Sequence, residues 1–553
     1  MQWGKTWIIA RSQAGPVSEW SAVILPRLIW VQQPGLICRG ADVLMRHVVR
    51  PARTRAGARR TCLGEDQASM KRNHWTILLL LTALGLSLRL YGLSHESLYN
   101  DELHSWYQSH FKTLDEVMNK GVRPDIYPPA YLILLHYWQR AFGDSEAALR
   151  LLSALAGTLW IPAMFLLGRQ LFGIAEGLIA AGLTAVACMP IYFSQEVRAY
   201  AFLILLVILM ACCWTGVVRD KKTWAAAGYA CCAAATLYLH PFAVVFVGLA
   251  GMAMGVACLG SKRRLIVFLA IHVGILVLYL PWLPEFLRDA RSAEFYLTRP
   301  GLRHVGRIFY YMFGMSELLT AVAFAFYAGL AYRTVRKGVN RTEVMLLLWV
   351  VVPIAVVMIK SIVSTPILTN RNMLICLPPL YLLLARAIAG LPTKPPWRTA
   401  TAILLVGLFL GQLVIGNRYY TIPHKTQFRE AVEFVVERER DTPGAVVVAW
   451  VWLREYLDYY FETFGSSTRV SVIGGVEGDL PKVRAFLEDA DSPKYIWFIH
   501  AHRPPQEAFL RALTDRYRLV DKRLFIKAGA YLLEDPATSR PSSQPGASKT
   551  PVR

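Results

Sequence analysis

The chain has 553 residues, 55% of them hydrophobic, with a formal net charge of +22 and a mean hydropathy of +0.35. This balance is too apolar for an ordinary soluble globular protein. The 60 Lys and Arg lie in short clusters between apolar stretches, so the charge reads as membrane topology and argues against nucleic-acid binding.

Residues 1–69 are Arg-rich and lack the basic start, apolar core and small-residue cleavage site of a signal peptide. They read as a disordered leader or a start assigned too early, because Met70 opens directly into the first apolar stretch. Apolar spans are expected at 75–93, 147–168, 174–193, 199–218, 223–240, 242–260, 265–283, 316–332, 344–362, 372–390 and 399–416. The stretch 127–142 is short, begins near Pro128-Pro129 and holds His136 and Arg140. Counting it as a span would put every later basic cluster outside, against the positive-inside rule, so it is assigned to the membrane interface. The expected fold is a polytopic α-helical membrane protein with about eleven transmembrane helices, interfacial helices in the first outer loop and a small C-terminal α/β domain.

The transmembrane part is expected over 70–416. Residues 417–535 are soluble in character and alternate patterns. Helices are expected at 428–440, 453–464 and 506–515, with strands at 445–450 and 494–500. The Pro- and Ser-rich 536–553 reads as a disordered tail. The nine Cys show no CxxC pair or Cys/His cluster and read as small buried hydrophobes.

This topology gathers the polar motifs on the outer face. Asp101-Glu102 follows the first span, and two carboxylates at a membrane edge fit a base or a metal ligand. Adjacent residues do not share a helical face, so Asp101 is the candidate base or metal ligand and Glu102 its supporting partner. The competing reading is a solvated pair at the start of an interfacial helix. Arg198, in Ser194-Gln-Glu-Val-Arg-Ala-Tyr200, fits a phosphate clamp or an Arg paired with Glu196 or snorkelling to headgroups. Arg371 at the start of a span carries the same two readings. His240 ahead of Pro241 is a phosphate donor or a solvated interfacial His, and Arg123, Tyr127 and Tyr200 complete the candidate substrate-binding set.

The order of these motifs has a likeness. Asp-Glu in a long outer loop, Tyr127-Pro-Pro-Ala-Tyr131, Phe142-Gly-Asp-Ser-Glu-Ala-Ala-Leu-Arg150, Gly168-Arg-Gln-Leu-Phe-Gly173 and Tyr192-Phe-Ser-Gln-Glu-Val-Arg-Ala-Tyr200 together resemble the bacterial branch of the dolichyl-phosphate-mannose protein mannosyltransferases. These belong to the C-type membrane glycosyltransferases, which include lipid A aminoarabinose transferases. The resemblance covers about 75–420. It implies inverting transfer of a sugar from a polyprenyl-phosphate donor to a lipid, glycan or protein acceptor on the outer face of the inner (plasma) membrane. Asp101 then corresponds to the loop carboxylate essential for transfer, and Glu102 to its partner. Arg198 and Arg371 match basic positions near the lipid phosphate, although Asn372 stands where the family more often has Tyr. His240 matches loosely. Metal dependence varies among such enzymes, so no cofactor is assigned and a divalent cation at Asp101 stays open.

Three other readings compete. A flippase or transporter of lipid-linked sugar would carry inverted repeats and midplane charges, and neither is evident. An oligosaccharide polymerase or ligase would place its long outer loop late in the chain. A membrane-anchored binding protein would depend on the 417–535 region.

Overall fold

The computed structural model describes residues 72–220, 223–292, 299–473, 480–488 and 493–536. The expectations for 1–69 and for most of the tail fall outside these residues. Besides short turns, the helices preceding Gly416 are α1 (Arg72–Leu90), α2 (Asn100–Ser109), α3 (Ala130–Phe142), α4 (Glu146–Leu171), α5 (Ile174–Val186), α6 (Cys188–Ser194), α7 (Tyr200–Thr215) and α8 (Thr223–Leu237). They continue with α9 (Ala243–Cys258), α10 (Lys262–Tyr279), α11 (Leu283–Ser292), α12 (Leu302–Met312), α13 (Glu317–Lys337), α14 (Arg341–Val363), α15 (Leu377–Ala389) and α16 (Pro395–Gly411).

Seven helices among the described residues are long and apolar enough to cross a membrane, and the bent pair α5–α6 makes an eighth. Helices α8, α9 and α10 stand at three further expected positions. The first two have only 15 and 16 residues, and α10 begins with Lys262-Arg-Arg264. Helix α3, at 13 residues, is too short to cross roughly 30 Å of hydrocarbon.

The expected span at 174–193 is not one straight helix. It breaks by 58° at Ala187, whose backbone is extended. Pro190 supplies the reason: its ring cannot accommodate the carbonyl four residues earlier, and α5 ends at that residue, Val186. The break leaves carbonyls without helical partners in an apolar setting. Arg89, fully buried at the end of α1, donates to Thr184 O (2.9 Å) and Ala185 O (3.2 Å) and so satisfies them. Its Nε also reaches Ser194 Oγ (3.1 Å). Close approach of α4 and α6 depends on Gly157, where a Cβ would collide with Ser194. The bend delivers the 194–200 segment into the protein interior instead of the headgroup layer.

After Gly416 the chain forms α17 (Phe428–Val436), β1 (Val446–Trp450), α18 (Glu455–Thr463), β2 (Val470–Ile473), α19 (Leu480–Glu488), β3 (Tyr495–Ala501), α20 (Glu507–Thr514), β4 (Arg518–Phe525) and β5 (Ala528–Glu534). The strands make one sheet in the order β2-β1-β3-β5-β4, parallel across β2-β1-β3 and antiparallel from β3 onward. Strands β2, β4 and β5 and helix α19 go beyond the sequence expectation. Side chains alternate along the strands. Val448, Trp450, Ile496 and Phe498 face a core with Phe509 and Leu513, whereas Val447, Ala449, Trp497 and Ile499 join the core that runs on into the helical bundle. The sheet is therefore packed onto the bundle rather than tethered to it.

Candidate active site

Helix α2 starts the site. Glu102 Oε2 accepts from Tyr99 N (3.2 Å), which caps the helix start as a carboxylate in the first turn should. The two neighbouring carboxylates then diverge. Glu102 is fully buried and accepts a fork from Arg150, Nε to Oε1 at 2.9 Å and Nη2 to Oε2 at 2.7 Å. Lys425 Nζ (3.1 Å) and Val197 N (3.1 Å) complete its shell. Arg150 also donates to the carbonyls of Leu93, Glu96 and Ser97, so it staples the loop before α2 to the start of α4. Burial raises the Glu102 carboxyl, but Arg150 and Lys425 outweigh it and hold the group at about 2. Lys425 itself is pulled down by burial and by Arg150, so the guanidinium is the stronger partner. No substrate can reach Glu102; its place is support, and it is withdrawn as a catalytic candidate.

Asp101 points the other way and is partly open, with 23% of its side chain exposed. Its Oδ2 pairs with Arg371, which arrives from the α14–α15 junction. Burial raises the Asp101 carboxyl, while Arg198 and Arg371 pull it further down, to a net position below the ordinary range.

Arg198 lies over the Tyr127 ring at 4.4 Å and donates to Ser105 Oγ (3.1 Å) and Asp101 O (3.4 Å). Its guanidinium is turned away from the Glu196 carboxylate, the partner offered by one sequence reading, and only its backbone N–H donates to Glu196, at the carbonyl oxygen (2.9 Å). Glu196 Oε1 instead accepts from Tyr99 Oη (3.0 Å), and burial pushes this carboxyl up to about 7.

His240 sits with its ring 5.4 Å from Tyr127 and 5.5 Å from Tyr200. Phe242 N donates to its Nδ1 (3.2 Å), so Nδ1 carries no proton and Nε2 is the N–H. That Nε2 is buried without a partner, as is Tyr200 Oη. Both residues line one recess with Ser105, Gln108, Tyr127 and Arg198. Two unpartnered donors and a guanidinium around one recess are groups that can donate to an anion.

Arg123 is not part of this group. It bonds Asn119 Oδ1 (2.5 Å), faces Glu285 at 3.8 Å and is exposed, which corrects its assignment as a substrate-binding residue. Its position beside the Tyr-Pro-Pro motif suggested the site, but the turn of chain before Pro124 carries its side chain outward.

Sequence reasoning missed Arg150, Lys425, His104, Asp125, Tyr456 and His502. His104 lies between Asp125 Oδ2 (3.4 Å) and Tyr456 Oη (2.9 Å), and Gln108 donates to Asp125 (2.7 Å). His502 follows β3 in a left-handed backbone conformation (φ 72°), and its imidazole is within electrostatic reach of Asp101 and Arg371. A detectable signal existed for Arg150, a charge four residues inside an apolar helix. Among the described residues, no three His, Cys, Asp or Glu converge as a metal-binding group.

Residues 127–284, which carry Tyr127, Arg198, Tyr200 and His240, match the family described as dolichyl-phosphate-mannose-protein mannosyltransferase. Over this stretch the chain is similar to that family. Its fold is shared with ArnT from Cupriavidus metallidurans in the apo state (14% identity, TM-score 0.54, covering 83% of this chain and 98% of that one). ArnT bound to undecaprenyl phosphate matches at 13% identity and TM-score 0.56, covering 85% and 100%. The Archaeoglobus fulgidus oligosaccharyltransferase in the apo form matches at 14% identity and TM-score 0.47, over 77% of this chain and 70% of that one. No curated protein sequence matches this chain.

Proposed function

We propose that the transferase moves a sugar from a polyprenyl-phosphate donor to an acceptor at the outer face of the inner (plasma) membrane, which it crosses about eleven times. The observation that carries this reading is the pairing of one open carboxylate, Asp101, with a recess built from Arg198, Tyr200 Oη and the N–H of His240. All of these groups sit at one end of the bundle, where α1, α6, α8 and α14 finish and α4, α7 and α9 begin. Basic clusters such as Arg333, Arg336 and Lys337 lie at the other ends of their helices, and the positive-inside rule then favours the outer side for the site end. The phosphate of undecaprenyl phosphate, the ligand of the ArnT complex, suits the recess, while its tail stays in lipid.

Asp101 accepts a proton from the acceptor nucleophile, whose electron pair attacks the anomeric carbon from the face opposite the phosphate. The bond from that carbon to the phosphate oxygen breaks, its electron pair stays on that oxygen, and polyprenyl phosphate departs against Arg198, Arg371 and His240. Fixed cations and N–H groups stabilise that developing charge without reorganising. The acceptor is a lipid, a glycan or a protein. Should the reaction use a divalent cation, Asp101 is the carboxylate placed to hold it.

The test is transfer from a panel of polyprenyl-phosphate sugars, with wild type compared to Asp101→Asn. The expected result is loss of transfer in the variant with folding kept and donor binding at least as tight as wild type. Full activity in Asp101→Asn would sink the assignment.

A further inference from the structure

Arg198 and Arg371 differ in how they are held. Tyr127, Ser105 and the Asp101 carbonyl fix Arg198 by groups that an incoming anion need not displace. Arg371 is 39% exposed and spends its hydrogen bond on Asp101 Oδ2, the atom that the proposed reaction needs free. In this geometry the base and one candidate phosphate ligand neutralise each other.

We propose that Arg371 is an exchange ligand: it pairs with Asp101 while the donor site is empty and transfers to the donor phosphate on binding, which releases the Asp101 carboxylate for the acceptor. The inference rests on the phosphate assignment made above. A guanidinium fork fits phosphate oxygens as well as carboxylate oxygens, so the exchange conserves its hydrogen bonds. It imposes an order, because the acceptor meets a free base only after the donor has arrived. Held by Arg198 and by Arg371, Asp101 is a weak proton acceptor, its carboxyl sitting below the ordinary range, and release of Arg371 removes the partner that is hydrogen-bonded to it. After transfer the leaving phosphate is a monoester that carries more negative charge than the donor diester, so it retains Arg371 until it departs.

Equilibrium binding of undecaprenyl phosphate to the full chain in neutral detergent tests this without knowledge of sugar or acceptor. Undecaprenol serves as the tail-only control. Arg371→Ala is expected to weaken undecaprenyl phosphate binding about tenfold and to leave undecaprenol unchanged. Asp101→Asn is expected to tighten it about fivefold, the factor associated with a partly exposed ion pair. In the Arg371→Ala background the effect of Asp101→Asn should fall below about twofold. Equal tightening in both backgrounds, or weaker binding in Asp101→Asn alone, overturns the exchange while leaving the phosphate site intact. Wild-type affinity in both Arg371→Ala and Arg198→Ala overturns the phosphate reading itself. If Arg371→Ala does not fold, Arg371→Leu and Arg371→Gln take its place in the cycle, with thermal unfolding as the check.

Discussion

Glu102→Gln removes one charge from the interior and changes little else, so it measures what the buried network contributes. The carboxylate accepts from Arg150 twice, Lys425, Val197 and Tyr99. A carboxamide accepts on one side only and turns an NH2 toward donors on the other. Arg150 and Lys425 then remain buried with no anion between them. Two routes give the size of the effect. Lowering the carboxyl from 4.5 to about 2 corresponds to about 3 kcal/mol at neutral pH. Breaking a buried ion pair by removing one partner costs about 3–5 kcal/mol. Thermal unfolding of the detergent-solubilised chain should show Glu102→Gln melting lower by on the order of 5–10 °C at pH 7. Because the folded-state carboxyl is depressed, the wild-type advantage is complete above pH 4.5 and shrinks as pH falls toward about 2. Melting within about 2 °C of wild type at pH 7 would refute the structural role. So would an advantage that grows on acidification.

Two further substitutions separate the site from its surroundings. Arg198→Lys keeps the charge but cannot lie flat on Tyr127, bond Ser105 and present a fork at once. Transfer should fall by about tenfold or more at unchanged melting temperature, and wild-type rates in this variant would remove the clamp from the mechanism. Arg123→Ala, outside the site, should leave transfer within about twofold of wild type, since exposed ion pairs contribute little; a large loss would restore it to the substrate-binding set.

How far the sequence reaches is clearest at α5–α6 and in the sheet. Pro190 is a visible helix breaker, and the break falls four residues before it, yet nothing local says that Arg89 from another helix will occupy the freed carbonyls. Strand β1 is legible as a buried apolar run. Strand β4, exposed along most of its length at the sheet edge and irregular between Leu519 and Asp521, has no clean alternation to detect.

The sequence alone determined the class of molecule: apolar runs, basic clusters between them, and chemistry-bearing residues in a familiar order. It also singled out Asp101, Tyr127, Arg198, Tyr200, His240 and Arg371, because polar groups beside apolar spans are conspicuous. Tertiary structure decided who pairs with whom. Glu102 meets Arg150 across 48 residues and Lys425 across 323, and Asp101 meets Arg371 across 270. Hydropathy reports how deeply a segment is buried, but a charge is stabilised by the particular opposite charge that lies within about 3 Å of it, and only packing of distant helices brings those groups together.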